Sequence, residues 1–376
     1  MRIAILGAGP AGLYLAFLIK RRDRHAEVTV IEQNPADATF GFGVVFSDRA
    51  LEFLREDDEA TYDTIVPRLE TWHDMMLNLR GERVVIDGFG FSALGRLSLL
   101  QLLQARGASV GVAPVYGRTV KALAELDGFD LVVGADGVNS LVRRSLEKAF
   151  GANVTLLTNR FAWFGTAKRF DTLSHSFVET ELGAFNAHHY RYAPDASTFI
   201  VEVDAATFER AGFWHLRDWE ARVICEHLFA PTLDGHDLIS NNSIWRRFPI
   251  VRNERWWHGK YVLLGDALHT AHFSIGSGTR LAMEDAIALD EALAAQPRDL
   301  SAGLSSYENA RRPVLEKLVA GANGSAQWYE HFAEHMKLAP VDFAMSYLTR
   351  SGRVDLERLR KVSPNFVARY EQERTH

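Results

Sequence analysis

The stretch Gly7-Ala8-Gly9-Pro10-Ala11-Gly12 decides the reading of this chain. A short apolar run, Arg2 to Leu6, precedes it, and Leu15, Leu18 and Ile19 follow at helical spacing as far as Arg22. Val28 to Glu32 is then a second short run rich in β-branched residues. Strand, glycine turn, helix and strand within about 30 residues is the size of a right-handed βαβ unit. In this G-x-G-x-x-G pattern Gly7 permits the tight turn, Gly9 lets the backbone approach a pyrophosphate, and Gly12 lets the helix pack closely on the strand. Pro10 and Ala11 open the helix, whose unpaired N–H groups and positive dipole end favour an anion. Glu32 stands 20 residues after Gly12, where a carboxylate can accept both hydroxyls of an adenosine ribose. A glycine-rich turn with no ligand is the plainer alternative; the flanking strand, helix and spaced acid weigh against it.

Two further motifs lie downstream. Gly134-Ala135-Asp136-Gly137 follows the buried run Leu131 to Val133, and Gly265-Asp266-Ala267-Leu268-His269 follows the buried run Tyr261 to Leu264. The second continues into Gly276-Ser277-Gly278 and a helix with Ala282, Ala286, Leu289 and Leu293 on one face. Taken alone, the Asp136 segment is a turn. Asp266 can hold a sugar-alcohol hydroxyl, and the glycines at 276 and 278 can receive an electron-rich ring edge. Three such sites at strand ends, spaced by roughly 130 residues, imply one long ligand lying across a sheet.

The expected fold is α/β, a Rossmann-like dinucleotide domain with a parallel sheet. Leu99 to Gln104 reads as helix and Ser109 to Val112 as strand. From Phe161 to Arg247 the chain is dense in aromatics and alternating patterns such as Ser197 to Val203, which predicts an inserted antiparallel sheet used as a lid. The first domain is therefore expected to be discontinuous: residues 1–70 with 91–160 and 256–300, a substrate domain of 71–90 with 161–255, and a helical region 301–376.

Of the 376 residues, 47% are hydrophobic and 24% charged, ample for a large core. One cysteine, Cys225, leaves no disulfide framework and no cysteine-based metal site, and fits a reducing compartment, the cytoplasm by default. A net charge of −6 argues against a general nucleic-acid surface. The uncharged stretch Ile3 to Ile19 is broken by Gly7, Gly9, Pro10 and Gly12, so neither a membrane span nor a signal peptide is expected.

With the three motifs in this order, the chain resembles class A FAD-dependent aromatic monooxygenases, the para-hydroxybenzoate hydroxylase fold. The resemblance implies FAD with its pyrophosphate at Gly7 to Gly12, its adenosine ribose on Glu32 and its ribityl chain near Asp266, with Asp136 in the second cofactor motif and Gly276 and Gly278 at the ring. Arg96, opening Arg96-Leu97-Ser98-Leu99-Leu100, is similar to the arginine such enzymes place beside the ribityl and phosphate groups. It further implies reduction by NAD(P)H, reaction of the reduced flavin with O2 to a hydroperoxide, and transfer of one oxygen to an activated ring in a site closed to water.

A narrower resemblance, to salicylyl-CoA 5-hydroxylases and their anthraniloyl-CoA relatives, is carried by Phe40-Gly41-Phe42-Gly43-Val44-Val45-Phe46-Ser47, Trp163-Phe164-Gly165-Thr166, Tyr190-Arg191-Tyr192, Ser197 to Glu202, and His272-Phe273-Ser274-Ile275-Gly276-Ser277-Gly278. Several of these are also similar to the late indole hydroxylase of violacein biosynthesis. The broad family usually has proline where this chain has His272-Phe273. The implied substrate is an aromatic CoA thioester, most directly salicylyl-CoA oxidised at position 5. An indole hydroxylase and an FAD-binding protein without oxygenase activity are the alternatives.

Oxidation para to a phenol is easier when an acceptor weakens the phenol proton, and histidine suits that task. His188, His269 and His272 are the candidate bases, with His189 beside them; ordinary sheet and turn histidines are the competing reading. His331 and His335, four apart, fit a solvated helix face better than a metal, and none is expected. Trp256-Trp257 fits core packing better than a nucleic-acid platform. Arg246, Arg247, Arg252 and Arg255 are candidates for the CoA phosphates.

Overall fold

Strand Arg2–Leu6 is buried from Ile3 onward because it has a parallel neighbour on each side, Glu27–Ile31 and Leu131–Gly134. The computed structural model describes residues 1–39, 41–47 and 50–374, so Phe40 of the segment quoted above lies outside the described residues. Five strands complete this sheet in the order Trp257–His258, Tyr261–Leu263, Leu131–Gly134, Arg2–Leu6, Glu27–Ile31, parallel except for the outer hairpin. Helix Pro10–Arg22 buries every residue from Ala11 to Ile19 between this sheet and helix Gly278–Ala295. Such all-round burial explains why its apolar pattern is nearly continuous rather than striped.

Residues Ser109 to Val112 do not form the expected strand. Helix Arg96–Ala108 ends there in a tight turn that needs Gly111 at φ +86°, and the chain rejoins the sheet only as a single bridge between Val115 and Ile31.

The second large sheet runs Leu238–Ser240, Ala152–Thr166, Ala196–Val203, Gly183–Ala193, Leu173–Thr180, Met75–Leu79, Glu82–Ile86, with Arg246–Asn253 also paired to Ala152–Thr166. It is antiparallel apart from one parallel pairing, Leu173–Thr180 with Met75–Leu79. Strand Ala152–Thr166 passes without a break through position 160, where a boundary was expected. Strand alternation then sorts side chains by face. Ala162, Phe164, Ala187, Phe199 and Val201 enter a core closed by helix Asp218–Leu228, which buries Cys225. Phe161, Trp163, His188, Tyr190 and Ile200 point the other way, into a cavity.

A third sheet, Gly43–Ser47, Phe91–Gly95 and Glu70–Trp72, lies against the second. Gly43 and Gly165 are required here, since a Cβ at Gly43 would come within 2.7 Å of Tyr192 and one at Gly165 within 2.4 Å of the Phe42 ring. Helix Leu300–Glu330 links the two halves: Tyr307 and Leu315 pack in the core of the first sheet, Trp328 and Tyr329 in the core beside the second. Trp256 is buried and packs on Tyr307, and His335 stacks on Trp328. Among the described residues no helix is long and apolar enough to cross a membrane.

Candidate active site

A cavity of about 890 Å³ runs between the two large sheets. One end is made of turns and helix starts. Gly9, Pro10 and Ala11 from the first motif, Ala135 and Gly137 from the second, and Asp266 and residues Ser274 to Thr279 from the third all line it. A smaller cavity of about 110 Å³ shares Gly9, Pro10 and Arg96 with it and extends to Glu32, Asn34 and Tyr116. The two together form an elongated space past all three motifs.

The glycines fit the tasks their spacing demands. A Cβ at Gly7, where φ is +101°, would sit 2.3 Å from the Ala135 carbonyl oxygen, and one at Gly12 would sit 2.0 Å from that of Gly7. Those two serve packing. A Cβ at Gly9 or Gly278 would meet nothing within 4 Å, so the protein itself does not require glycine at either position, and both line the cavity. Glu32 accepts from the Ala8 N–H through Oε2 and from Asn34 through Oε1, which fixes its carboxylate at the rim of the smaller cavity.

Asp266 lies deep between the sheets yet is exposed, and what it is exposed to is the cavity. Burial raises its pKa, against the pull of His269 and Arg96. Burial likewise lowers the pKa of Arg96, with Asp266 opposing. A carboxylate and a guanidinium thus flank one recessed space, which suits a polar chain threaded between them.

The histidines separate sharply. His188 lines the cavity; His189, one residue on, points into the opposite core and meets Ser176 Oγ at 3.0 Å. His269 does not reach the cavity, contrary to expectation. Its Nε2 is 2.7 Å from Asp285 Oδ2, which also accepts from the Gly265 N–H, while Arg311 donates to Oδ1 at 2.9 Å. Although burial opposes it, His269 and Arg311 hold the Asp285 carboxyl below the usual carboxylate range. This network clamps the turn that carries Asp266. His272 also differs from expectation: it caps the short turn Phe273–Ile275, with Nδ1 2.8 Å from Ser274 Oγ, and packs edge-on against Phe248 rather than lining the cavity. Asp136 likewise turns away: Oδ2 accepts from the Leu141 N–H at 2.6 Å, at the start of helix Leu141–Ser145, and only its backbone neighbours line the cavity.

The far end of the cavity is made of side chains. Phe91, Phe161, Trp163, Leu173 and Phe273 give apolar walls, and His175, His188 and Tyr190 supply polar atoms. Toward solvent the lining changes to Val154 and Leu156, about half exposed at 47% and 49%, with Arg144 and Arg246 exposed beside them. The expected group of four arginines is thereby split. Arg246 and Arg247 line the cavity, with Arg247 donating to the carbonyls of Leu156 and Leu157, whereas Arg252 and Arg255 do not. Arg143 and Arg144, unremarked as phosphate ligands in the sequence, do line it. Their place after the Asp136 turn was the available signal.

A cleft that joins a dinucleotide-binding turn, an acid facing a half-buried arginine and an aromatic chamber can seat a flavin next to an aromatic ring. Comparison with known proteins agrees. Residues 128–322 match the FAD binding domain family. The chain is 42% identical to a salicyloyl-CoA 5-hydroxylase of Streptomyces sp over 361 residues, 93% of this chain and 70% of that protein. It is 37% identical to 3-hydroxy-4-methyl-anthranilyl-[aryl-carrier protein] 5-monooxygenase of Streptosporangium sibiricum, covering 94% and 95% of the two chains. It is 31% identical to protodeoxyviolaceinate monooxygenase of Chromobacterium violaceum, covering 93% and 94%. In fold it is similar to PqsL of P. aeruginosa, solved with 2-aminobenzoylacetate, with a TM-score of 0.69 at 21% identity over 89% of this chain and 98% of that one. The chain belongs to the FAD binding domain family and is one of its aromatic hydroxylases, using FAD with NAD(P)H as co-substrate.

Proposed function

We propose that this protein hydroxylates the ring of an aromatic acyl thioester, with salicylyl-CoA to 5-hydroxysalicylyl-CoA as the leading reaction. The observation that carries this reading is the continuity of one cavity from the aromatic chamber at His188 and Tyr190 to the open mouth at Val154, Leu156, Arg144 and Arg246. A free aromatic acid needs only the chamber; a thioester also needs an exit for its apolar arm and a cationic rim for its phosphates. Similarity to enzymes named for a CoA ester and for a carrier-bound aryl substrate supports a thioester.

In this reading Gly9, Pro10 and Ala11 would hold the FAD pyrophosphate, Glu32 the adenosine ribose, Arg96 and Asp266 the ribityl chain, and Gly276 and Gly278 the edge of the ring. Bound there and reduced by NAD(P)H, FAD would supply the oxygen-activating chemistry by which one atom of O2 is inserted into the ring and the other becomes water. The chain positions and shields. Phe161, Trp163 and Phe273 exclude water from the chamber, and His188 faces the phenol whose deprotonation makes the ring more nucleophilic. Residues 1–70 with 91–160 and 256–300 act as the FAD-binding part and 71–90 with 161–255 close over the substrate, except that strand Ala152–Thr166 belongs whole to the second sheet, and 301–376 brace the two.

The test is NADH and NADPH oxidation by the purified yellow holoenzyme, with product analysis, given salicylyl-CoA, free salicylate and an indole substrate in turn. The thioester should stimulate oxidation and be hydroxylated far more efficiently than salicylate. Equal kcat/KM for both defeats the thioester assignment. Preference for the indole installs the second reading, which the similarity to the violacein-pathway enzyme favours.

A further inference from the structure

Beside His188, just outside the cavity lining, lies a carboxyl with no role in that reaction. Glu202 is 2% exposed, on the strand next to that of His188. His188 pairs with Ile200, so Glu202, two residues along, is its diagonal neighbour on the same face of the sheet. Glu202 Oε1 accepts from Asn159 Nδ2 at 2.9 Å, but Oε2 is buried without a hydrogen-bond partner. So is His188 Nε2, and the two unpartnered atoms face each other at 3.6 Å. A buried carboxyl is usually matched by a cation or several donors. Here it is matched by a histidine whose ring also lines the substrate chamber.

We infer that Glu202 is the positioning partner and final proton acceptor of His188, so that the substrate's phenol proton passes through the imidazole to the carboxylate. The inference rests on the proposed phenolic substrate, not on the thioester. The substrate O–H bond breaks with its electron pair kept on the ring oxygen. His188 takes that proton on Nδ1, the ring nitrogen not opposed to Glu202, and yields the proton of Nε2 to Glu202 Oε2. His188 is neutral before and after, with its tautomer exchanged, while Glu202 ends protonated and the substrate ends as phenolate. One negative charge moves and none is created, which matters in a site where a new buried charge is costly.

His188 alone is a weak base for this step: burial, with Arg350 adding to it, depresses its pKa to about 3. Burial acts on Glu202 in the opposite sense and raises its pKa, against His272 and Asn159. The charged and titratable groups around the pair are His175, beside the His188 ring, His272, Glu330, Tyr329 and Arg350. Of these, only Arg350 is a fixed cation. It is tied to Ser325 Oγ and the Ser274 carbonyl, at 2.9 and 3.0 Å, so it does not neutralise the carboxylate directly.

The experiment titrates a bound phenol. Salicylyl-CoA and 4-nitrophenol are each bound to oxidised holoenzyme, and phenolate absorbance is followed against pH for the wild type, Glu202→Gln and Glu202→Asp. The wild type should lower the phenol pKa relative to free solution. Glu202→Gln should return it upward by about one pH unit or more, with kcat at neutral pH reduced about a hundredfold and partly regained at alkaline pH. Its FAD content and ligand Kd should stay within about twofold. Glu202→Asp, which keeps the carboxyl and guards against a folding defect, should retain most of the lowered phenol pKa. A Gln variant whose pH profile superimposes on the wild type overturns the inference, as does a wild type that does not lower the phenol pKa. Failure of the thioester assignment leaves the nitrophenol arm informative.

Discussion

The two ends of the cavity are built from different material. At the end proposed to hold the cofactor the lining comes from glycine turns and helix starts at three strand ends, with Arg96 and Asp266 beside them. At the end proposed for the substrate it comes mainly from side chains on one face of a sheet, on strands Ala152–Thr166, Leu173–Thr180, Gly183–Ala193 and Ala196–Val203, with Phe91 of the third sheet and Phe273 of its turn added. A backbone site imprints itself on contiguous sequence, because the chain must contain the glycines that permit it. A side-chain site needs only the right face of the right strand, and one residue of register decides which side chain belongs to it.

The largest effect expected follows from this contrast. Gly9→Val should fold, because a Cβ there meets nothing within 4 Å, yet it should purify colourless, because the added methyls occupy the space the pyrophosphate needs. Circular dichroism and FAD absorbance check the two halves together. Gly12→Val, whose Cβ would lie 2.0 Å from the Gly7 carbonyl oxygen, should instead fail to fold. A yellow Gly9→Val enzyme would break the claim that this end binds through backbone.

The half of the molecule that carries the substrate chamber, with His188 lining it and His189 and His272 packed around it, should betray itself by acid sensitivity. Burial depresses the pKa of His188 and His189 to about 3 and that of His272 to about 4. These histidines are neutral in the folded protein, whereas in the unfolded chain they take up protons below their ordinary value near 6.5. The stability they allow is therefore complete above about pH 6.5 and declines as pH falls toward 4. At pH 5.5 each costs about 1.4 kcal/mol, together about 4 kcal/mol. Glu202, whose pKa is raised, opposes part of this. Urea midpoints measured on apoprotein at pH 7.5 and 5.5 should fall accordingly; an unchanged midpoint means these histidines are not held neutral.

Asp266→Ala comes next, since it removes a carboxylate that lines the end proposed to hold the cofactor. Loss of a charge-assisted hydrogen bond costs about 1.5 to 3 kcal/mol, roughly ten- to a hundredfold in FAD affinity. A flavin titration that finds wild-type affinity would take Asp266 out of the cofactor site.

Much of this asymmetry was legible beforehand and some was not. Gly7 to Gly12, Glu32 and the helix after Gly278 carry their geometry in their spacing, and the first sheet forms around them as expected. The histidines carry no such mark. His188 and His189 are indistinguishable in sequence, and only the register that pairs His188 with Ile200 puts one in the cavity and the other in the opposite core. His269 was drawn to Asp285, 16 residues on, a partner visible only once helix Gly278–Ala295 folds back on the turn. Ser109 to Val112 misled because its apolar residues cover the end of a helix and its turn, where periodicity over four residues cannot separate strand from turn. Glu202 had a signal: an acid inside Ser-Thr-Phe-Ile-Val-Glu-Val is out of place in a buried strand unless it has work to do.

The smallest effect concerns the mouth, where the same one-residue logic predicts which arginine matters. Arg246 and Arg252 lie on one strand, both exposed, but only Arg246 lines the cavity, with Arg144 arriving there from the other sheet's side. If the phosphates of a CoA ester rest on this rim, Arg144→Glu and Arg246→Glu should each raise KM for salicylyl-CoA about three- to tenfold, the scale of an exposed charge contact. Saturating kcat and FAD content should hold, because the rim contributes binding and not chemistry. The loss should shrink at high salt, as solvent-exposed charge pairs are screened over about 10 Å at 0.1 M. Arg252→Glu is the control: it makes the same change in net charge on the same strand, so a purely long-range field would treat it as it treats Arg246→Glu. An equal rise in KM for all three variants, or for free salicylate as for the ester, removes the phosphates from this mouth; a rise confined to Arg144 and Arg246 places the distal end of the thioester there and leaves the chamber to the ring alone.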